Sequence, residues 1–425
     1  MLKRLRLKDF KSFVDEEVPL APLTLLLGAN ASGKSNFLDA LQFLHANSFD
    51  LDLEQILNGD QRASPDAWRG LRGGASEAAR WGMSQFTIES TWSVNVWDSE
   101  IFDLLDGEPN SEFACDFTHR TTCRTSPSPL ILEESLGIEG DVTAQTGALS
   151  GEYIERVVPE ELPPTKVANA VFGRLEPGTK LLSARRSVFV SPRAKRNGNW
   201  VEILLPSFTL EAATSRIAFL NIQPAAMRGY GKKSAPLGEE GRNLSGVLAR
   251  LCEEPDTKRA LVDWLVEFCA PEITDIDFVE VKELGDVMAM FVEKGGRRVS
   301  ARSASDGTLR FLGKLLALRL APKGSVILLE ELDSGLHPTR IRLLVEYLET
   351  VTRERGIQVI ATTHSPVILQ WLNEKTLRDS LVFGRVPDHE GTLVRRLGDL
   401  PHFNEVAQHK SIEELFTTGW LEMAL

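Results

Sequence analysis

Hydrophobic residues along this chain fall into three patterns. The first is the short apolar run: residues 23–27 (apolar save Thr24), 325–329 (save Ser325) and 357–361 (save Gln358). Runs that short, without polar alternation, predict strands buried on both faces. The second is helical spacing. Phe37, Leu41 and Leu44 recur at that period, as do Leu309, Leu312, Leu316 and Leu320, and Ile341, Leu344, Val345 and Leu348 after Pro338. Each set predicts an amphipathic helix following or preceding a buried strand. The third is alternation. Phe86, Ile88, Trp92, Val94 and Val96 interleave with polar residues and predict a half-buried antiparallel strand, with a second around Phe113, Cys115 and Phe117. Residues 106–165 become rich in Gly, Pro, Ser, Thr and Glu and read as loops around short strands. A further short strand is expected over 381–383, and a docking helix over 411–425, where Ile412, Leu415 and Phe416 are periodic. Continuous heptads are absent, so no long coiled-coil arm is expected.

The junction between the first strand and the first helix carries the strongest chemistry. Gly28-Ala29-Asn30-Ala31-Ser32-Gly33-Lys34-Ser35 satisfies G-x-x-x-x-G-K-[ST] in full. Backbone N–H groups of such a loop form an anion-binding concavity, and the helix N-terminus adds favourable partial charge. Gly28, Asn30, Ser32 and Gly33 then line a triphosphate, Lys34 reaches its β- and γ-phosphates, and Ser35 ligates Mg²⁺. A glycine turn with a chance lysine would lack the strand before it and the helix after it.

Three further positions fit a nucleoside triphosphate. Glu330 and Glu331 end the second buried strand, where two carboxylates are costly without a cation. Glu330 is expected to hold Mg²⁺ and Glu331 to polarise the attacking water. His364 ends the third strand, at the edge where open α/β sheets bind nucleotides, and is expected to contact the γ-phosphate. Ser305, Asp306 and Gly307 open the helix of Leu309 to Leu320. Ser305 or Asp306 serves there as an N-cap, or the helix start offers N–H groups and a serine to a phosphate.

In order and spacing these pieces resemble ATP-binding-cassette-type ATPases of the RecF/SMC/OLD lineage, an AAA-family kind of ATP-binding protein. Asp9-Phe10-Lys11-Ser12-Phe13 precedes the loop, Gly28 to Ser35 matches Walker A, and Ser305-Asp306-Gly307 the signature. Ile327 to Glu331 matches Walker B, Ser334 to Pro338 the D-loop, and Thr363 to Pro366 the H-loop. Where the family commonly has Pro-Glu-Asn, this chain has Leu332-Asp333-Ser334. The resemblance covers roughly residues 1–50 and 200–400. It implies an α/β P-loop NTPase head with a mixed sheet flanked by helices and an inserted α+β segment. It implies ATP and Mg²⁺ as ligands, ATP hydrolysis with Lys34, Glu331 and His364 in catalytic roles, and a head-to-tail homodimer through ATP. In such a dimer the signature serine of one copy completes the site of the other. The expected segments are an N-terminal ATPase lobe (1–100), an insertion (101–205), a helical and strand lobe (206–300), a C-terminal ATPase lobe (301–400) and a docking tail (401–425). Gln85, at the head of a strand, is a guess for the Q-loop.

Composition narrows the function. Over 425 residues, 48 Lys plus Arg against 60 Asp plus Glu give a net charge of −12, so nucleic acid or anionic membrane is not bound through the whole surface. Residues 177–201 lack an acid and hold Lys180, Arg185, Arg186, Arg193, Lys195 and Arg196, a candidate DNA or partner surface, with a solvated hairpin as the alternative. Cys115, His119 and Cys123 would share a strand face about 13 Å apart per four residues, too far for one zinc ion. The four cysteines suit a reducing compartment, the opening residues lack a secretory core, and no run reaches membrane-helix length. A cytoplasmic protein without membrane association is expected. The 61 residues after His364 are short for a nuclease domain, and Asp275-Ile276-Asp277 reads as surface strand or loop. The expected role is an ATPase that drives conformational change in a partner protein or DNA, such as the ATPase subunit of an anti-phage system beside a separate nuclease. Alternatives are a RecF-like DNA-repair ATPase and an ATP-dependent scaffold with negligible turnover.

Overall fold

A computed structural model of the chain describes residues 1–49, 51–59, 68–95, 114–139, 193–196, 199–202, 213–268, 272–386 and 390–425. Its centre is a six-stranded sheet built from the short apolar runs. Strands β3 (Leu23–Leu27), β14 (Val326–Leu329) and β15 (Gln358–Thr362) are buried at every position. With β9 (Ile217–Leu220), β16 (Leu381–Gly384) and β17 (Leu393–Arg396) they run in the order β17-β16-β3-β15-β14-β9. All neighbours are parallel except the β16–β17 pair.

Such a sheet needs cover on both faces, and alternate residues of each strand enter two different cores. Leu25, Leu27, Ile327, Leu329, Val359 and Ala361 pack toward the helices Asp306–Leu320 and Pro338–Arg355. Leu26, Val326, Leu328 and Ile360 face the opposite way, toward helix α1 (Lys34–Asn47) and a second sheet. The predicted helical stripes are the buried ones: Phe37, Leu41 and Leu44 on α1, and Ile341, Leu344, Val345 and Leu348 further on.

The second sheet is antiparallel, with order β2-β1-β4-β5-β6. It comprises β1 (Leu2–Phe10), β2 (Phe13–Pro19), β4 (Gln85–Asn95), β5 (Ala114–Arg124) and β6 (Leu130–Glu139). Phe86, Ile88 and Trp92 of β4 are buried against it, as their alternation predicts. The composition of residues 106–165 suggested short strands, whereas β5 and β6 span 11 and 10 residues. Long antiparallel pairing tolerates Thr and charged side chains on an exposed face, which is what hid β6 and the full length of β5. On β5, His119 is fully buried and its Nε2 lies 2.6 Å from the Glu134 carboxylate on β6, so its partner is an acid.

A smaller sheet of β10 (Gly231–Lys232), β11 (Ile273–Val281), β12 (Asp286–Glu293) and β13 (Arg298–Ser300) leads into the Asp306–Leu320 helix. Asp275 and Asp277 lie on β11, paired with Lys258 and Arg298. Of the basic stretch, Lys180, Arg185 and Arg186 lie outside the described residues, and Arg193–Arg196 forms one arm of a hairpin with Asn199–Glu202. Residues 411–425 form two short helices, Ile412–Thr417 and Trp420–Met423, with Leu415 and Leu421 buried. Among the described residues no helix is long and apolar enough to cross a membrane.

Candidate nucleotide site

Three central strands end nearly flush. Leu26 of β3 pairs with Thr362 of β15, and Ala361 pairs with Leu329 of β14. The loop of Gly28 to Ser35, the pair Glu330–Glu331, and His364 therefore leave the same edge of the sheet from adjacent strands, at the carboxyl ends where α/β sheets bind ligands. Glu330, Glu331 and His364 are exposed there.

The loop's shape explains its glycines. Gly28 and Gly33 have φ of 137° and 111°, and a Cβ would collide with the Phe383 carbonyl at the first and with the Thr392 side chain at the second. Only glycine meets both demands. Thr392 Oγ1 in turn donates to the Ser32 carbonyl at 3.1 Å and shares a hydrogen bond with the Ser12 hydroxyl at 2.8 Å, so the Asp9–Phe13 segment braces the loop. Helix α1 starts from Gly33 with no side-chain cap. Its first N–H groups are thus left for an anion. Asn30 and Ser35 are exposed, whereas Ser32 and Lys34 are buried. Lys34 Nζ turns into the loop and donates to the carbonyls of Gly28 and Ala29, the latter at 2.8 Å. Burial holds its pKa below the usual lysine value, opposed by the Glu422 carboxylate.

Beside the loop lies an ionic cluster that motif reading missed. Asp39 on α1 is buried and accepts two hydrogen bonds from Arg72, at 3.0 and 2.8 Å, and an ion pair from Lys11 at 2.7 Å. Arg72 is held above its ordinary pKa chiefly by its hydrogen bond to Asp39, with further contributions from the charges of Asp39 and Glu330. It therefore sits within the electrostatic reach of Glu330. Its partner is 33 residues away, so no local pattern could have found it.

Glu331 adopts φ of 46°, unusual for a residue with a side chain. Its N–H donates to Thr362 Oγ1 at 2.9 Å, which ties it to β15. Thr363 Oγ1 donates to Asp333 at 2.6 Å and accepts from the Ser365 N–H at 3.1 Å, clamping the segment around His364 to the loop after Glu331.

Ser305 is the N-cap of the Asp306–Leu320 helix: its Oγ accepts from the Thr308 N–H at 3.1 Å, and its side is exposed. Asp306 pairs with Arg228 at 2.5 Å, and Arg228 also donates to the carbonyls of Arg302 and Ala304. Gly307 lets this helix approach the Gly335 carbonyl, where a Cβ would collide. Gln85 begins β4 in the antiparallel sheet. Gln223 follows β9, the parallel neighbour of β14, and hydrogen-bonds Asn221. Its place after an edge strand would have been legible only with the sheet order known.

The residues fit a Mg²⁺-bound triphosphate. An uncapped helix start and a glycine-shaped loop suit phosphate, and the Ser35 hydroxyl with the Glu330 and Glu331 carboxylates offers the oxygen donors that Mg²⁺ prefers.

Residues 1–112 match the family described as AAA ATPase domain. Residues 242–370 match that described as AAA domain, putative AbiEii toxin, Type IV TA system. Together the matches span more than half the chain. No curated protein sequence matches it. Similar solved structures include an SMC head bound to the C-winged helix domain of ScpA, at 14% identity and TM-score 0.48, covering 93% of this chain and 98% of that one. Another is the SMC head domain from Thermotoga maritima, at 14% identity and TM-score 0.40 with the same coverage. The chain belongs with the P-loop ATPases, its two matched segments being similar to AAA-type ATPase domains.

Proposed function

We propose that the chain binds Mg·ATP between two head-to-tail copies and hydrolyses it to drive a conformational change in a partner. The observation that supports this most is the flush ending of β3, β15 and β14, which gathers Lys34, His364, Glu330 and Glu331 at one edge. In this reading Ser35 and Glu330 hold Mg²⁺ and Glu331 polarises the attacking water. Lys34 and His364 meet the β- and γ-phosphates. Gly28, Asn30, Ser32 and Gly33 cradle the chain of phosphates, and Ser305, Asp306 and Gly307 of the second copy close the site. Bound Mg²⁺ would neutralise charge on the phosphates, the main electrostatic demand of phosphoryl transfer. The exposure of Ser305 supports its use by another copy, with its hydroxyl held at the helix start by the Thr308 N–H and by Thr308 Oγ1 at 2.8 Å.

The partner reading is an effector protein, such as a separate nuclease in anti-phage defence. The toxin–antitoxin wording of the family matched over residues 242–370 is its support. A DNA-repair role would instead require the Lys180 to Arg196 stretch to bind DNA.

Glu331→Gln should bind ATP yet fail to release phosphate. It is expected to elute as a dimer in light-scattering chromatography with Mg·ATP and as a monomer without nucleotide. A variant that stays monomeric with ATP would overturn the sandwich. Turnover at the wild-type rate would overturn the role of Glu331.

A further inference from the structure

Lys314 lies in the middle of the Asp306–Leu320 helix, 4% exposed, among the buried Leu312, Leu315 and Leu316. An ammonium group in such a setting is expensive, and an aliphatic residue would pack that face. Its Nζ donates to two carbonyls, those of Glu331 and Leu332, each at 2.8 Å. Burial lowers its pKa to about 8 against the opposing charge of Asp333, with Arg310 and Glu331 also within reach.

The peptide groups on both sides of Glu331 are consequently fixed by two different elements. Thr362 of β15 accepts from the Glu331 N–H through its hydroxyl and from the Leu332 N–H through its carbonyl, both at 2.9 Å. Lys314 takes the carbonyls that follow. Glu331 sits between these tethers in a left-handed conformation that L residues adopt only at a cost. Such a conformation persists only where its surroundings impose it. The same helix also supports the far end of this loop, where Gly307 meets the Gly335 carbonyl. Ser305 and Lys314 are nine residues apart, about 13 Å along one rigid helix. Any displacement at the Ser305 end reaches Lys314 without an intervening joint.

We propose that Lys314 is a positioning residue for Glu331: by holding the carbonyls of Glu331 and Leu332 it makes the aim of the Glu331 carboxylate depend on where the Ser305-bearing helix lies. Occupation of Ser305 by a second copy's phosphate is then felt in the first copy's own Walker B loop. The inference rests on the role given to Glu331 above.

Its test uses the full chain with Lys314→Met, which keeps the unbranched stem to the ε position and removes the donors. Phosphate release should fall at least tenfold in kcat, while the Kd for AMP-PNP with Mg²⁺, read by calorimetry, stays within twofold of wild type. Lys314→Arg, which keeps donors for both carbonyls, should recover most of the lost rate. If the methionine variant lacks a cooperative melt, Lys314→Ala, which lets water reach both carbonyls, is read in the same way. A folded variant with kcat within twofold of wild type, measured beside an inactive Glu331→Gln, overturns the role of Lys314 and leaves that of Glu331 standing. Equal losses in Kd and kcat would also overturn it, because positioning of Glu331 leaves nucleotide binding alone.

Discussion

Burying a lysine ammonium and twisting a glutamate backbone both cost free energy, and in this protein the two costs meet at one hydrogen-bonded contact. The lysine's share can be read from pH. In the unfolded chain Lys314 has the ordinary lysine pKa of 10.5, which burial in the folded protein lowers to about 8. Between those values the unfolded state binds more protons, so this group's contribution to stability rises with pH across that window. Below about pH 8 the full penalty of burying the charge is present. Melting temperatures of wild type and Lys314→Met, compared from pH 7.5 to 10, should therefore shift progressively in favour of the wild type. A difference that does not change with pH would show that Lys314 titrates normally. Residues of this kind were not legible in the sequence. Gly28, Gly33 and Lys34 could be read because their roles follow from spacing within eight positions. Lys314, Arg72 and Arg228 act on partners 17, 33 and 78 residues away, and only the folded chain brings those partners near.

At the scale of elements, apolar runs were the reliable guide. A strand in the middle of a parallel sheet has no solvent face, so β3, β14 and β15 announce themselves as near-continuous hydrophobic stretches. Strand β6 and the far half of β5, with one face toward water, look like loop sequence. The tail illustrates the same point for helices: its periodicity was readable, but the break at Gly419, with φ of 70°, divides it in two. The second of those helices packs against Gly384 of β16, the residue after the Phe383 whose carbonyl abuts Gly28. It brings Glu422 near Lys34, with one carboxylate oxygen buried and lacking a hydrogen-bond partner. A phosphate arriving at Lys34 competes with that negative charge. Glu422→Gln should tighten Mg·AMP-PNP binding by about threefold, roughly 0.6 kcal/mol, as expected for a partly screened charge. Calorimetry showing weaker binding would mean that the carboxylate supports Lys34 instead.

For the molecule as a whole, the joint between the two main sheets decides stability. Gln358, at the head of β15, accepts from the Leu2 N–H at 2.9 Å and donates to the carbonyls of Leu2 and Ala21 at 2.8 and 3.0 Å. It is buried, and its amide substitutes for a stretch of strand between the parallel and antiparallel sheets. Gln358→Leu would strand three backbone groups at about 1–3 kcal/mol each before relaxation. Its melting temperature should drop by roughly 10 °C or more in a single transition. A drop of a degree or two would mean that water replaces the amide. None of this joint was visible in the sequence, where Gln358 is merely a polar residue opening an apolar run. The same joint imposes a timetable on biosynthesis. Leu2 must wait for a residue 356 positions later, roughly 20–70 s at ordinary elongation speeds. Throughout that interval the apolar inner face of the amino-terminal strands has no finished sheet to close against, which makes the ribosome-bound half of this protein a natural client for chaperones.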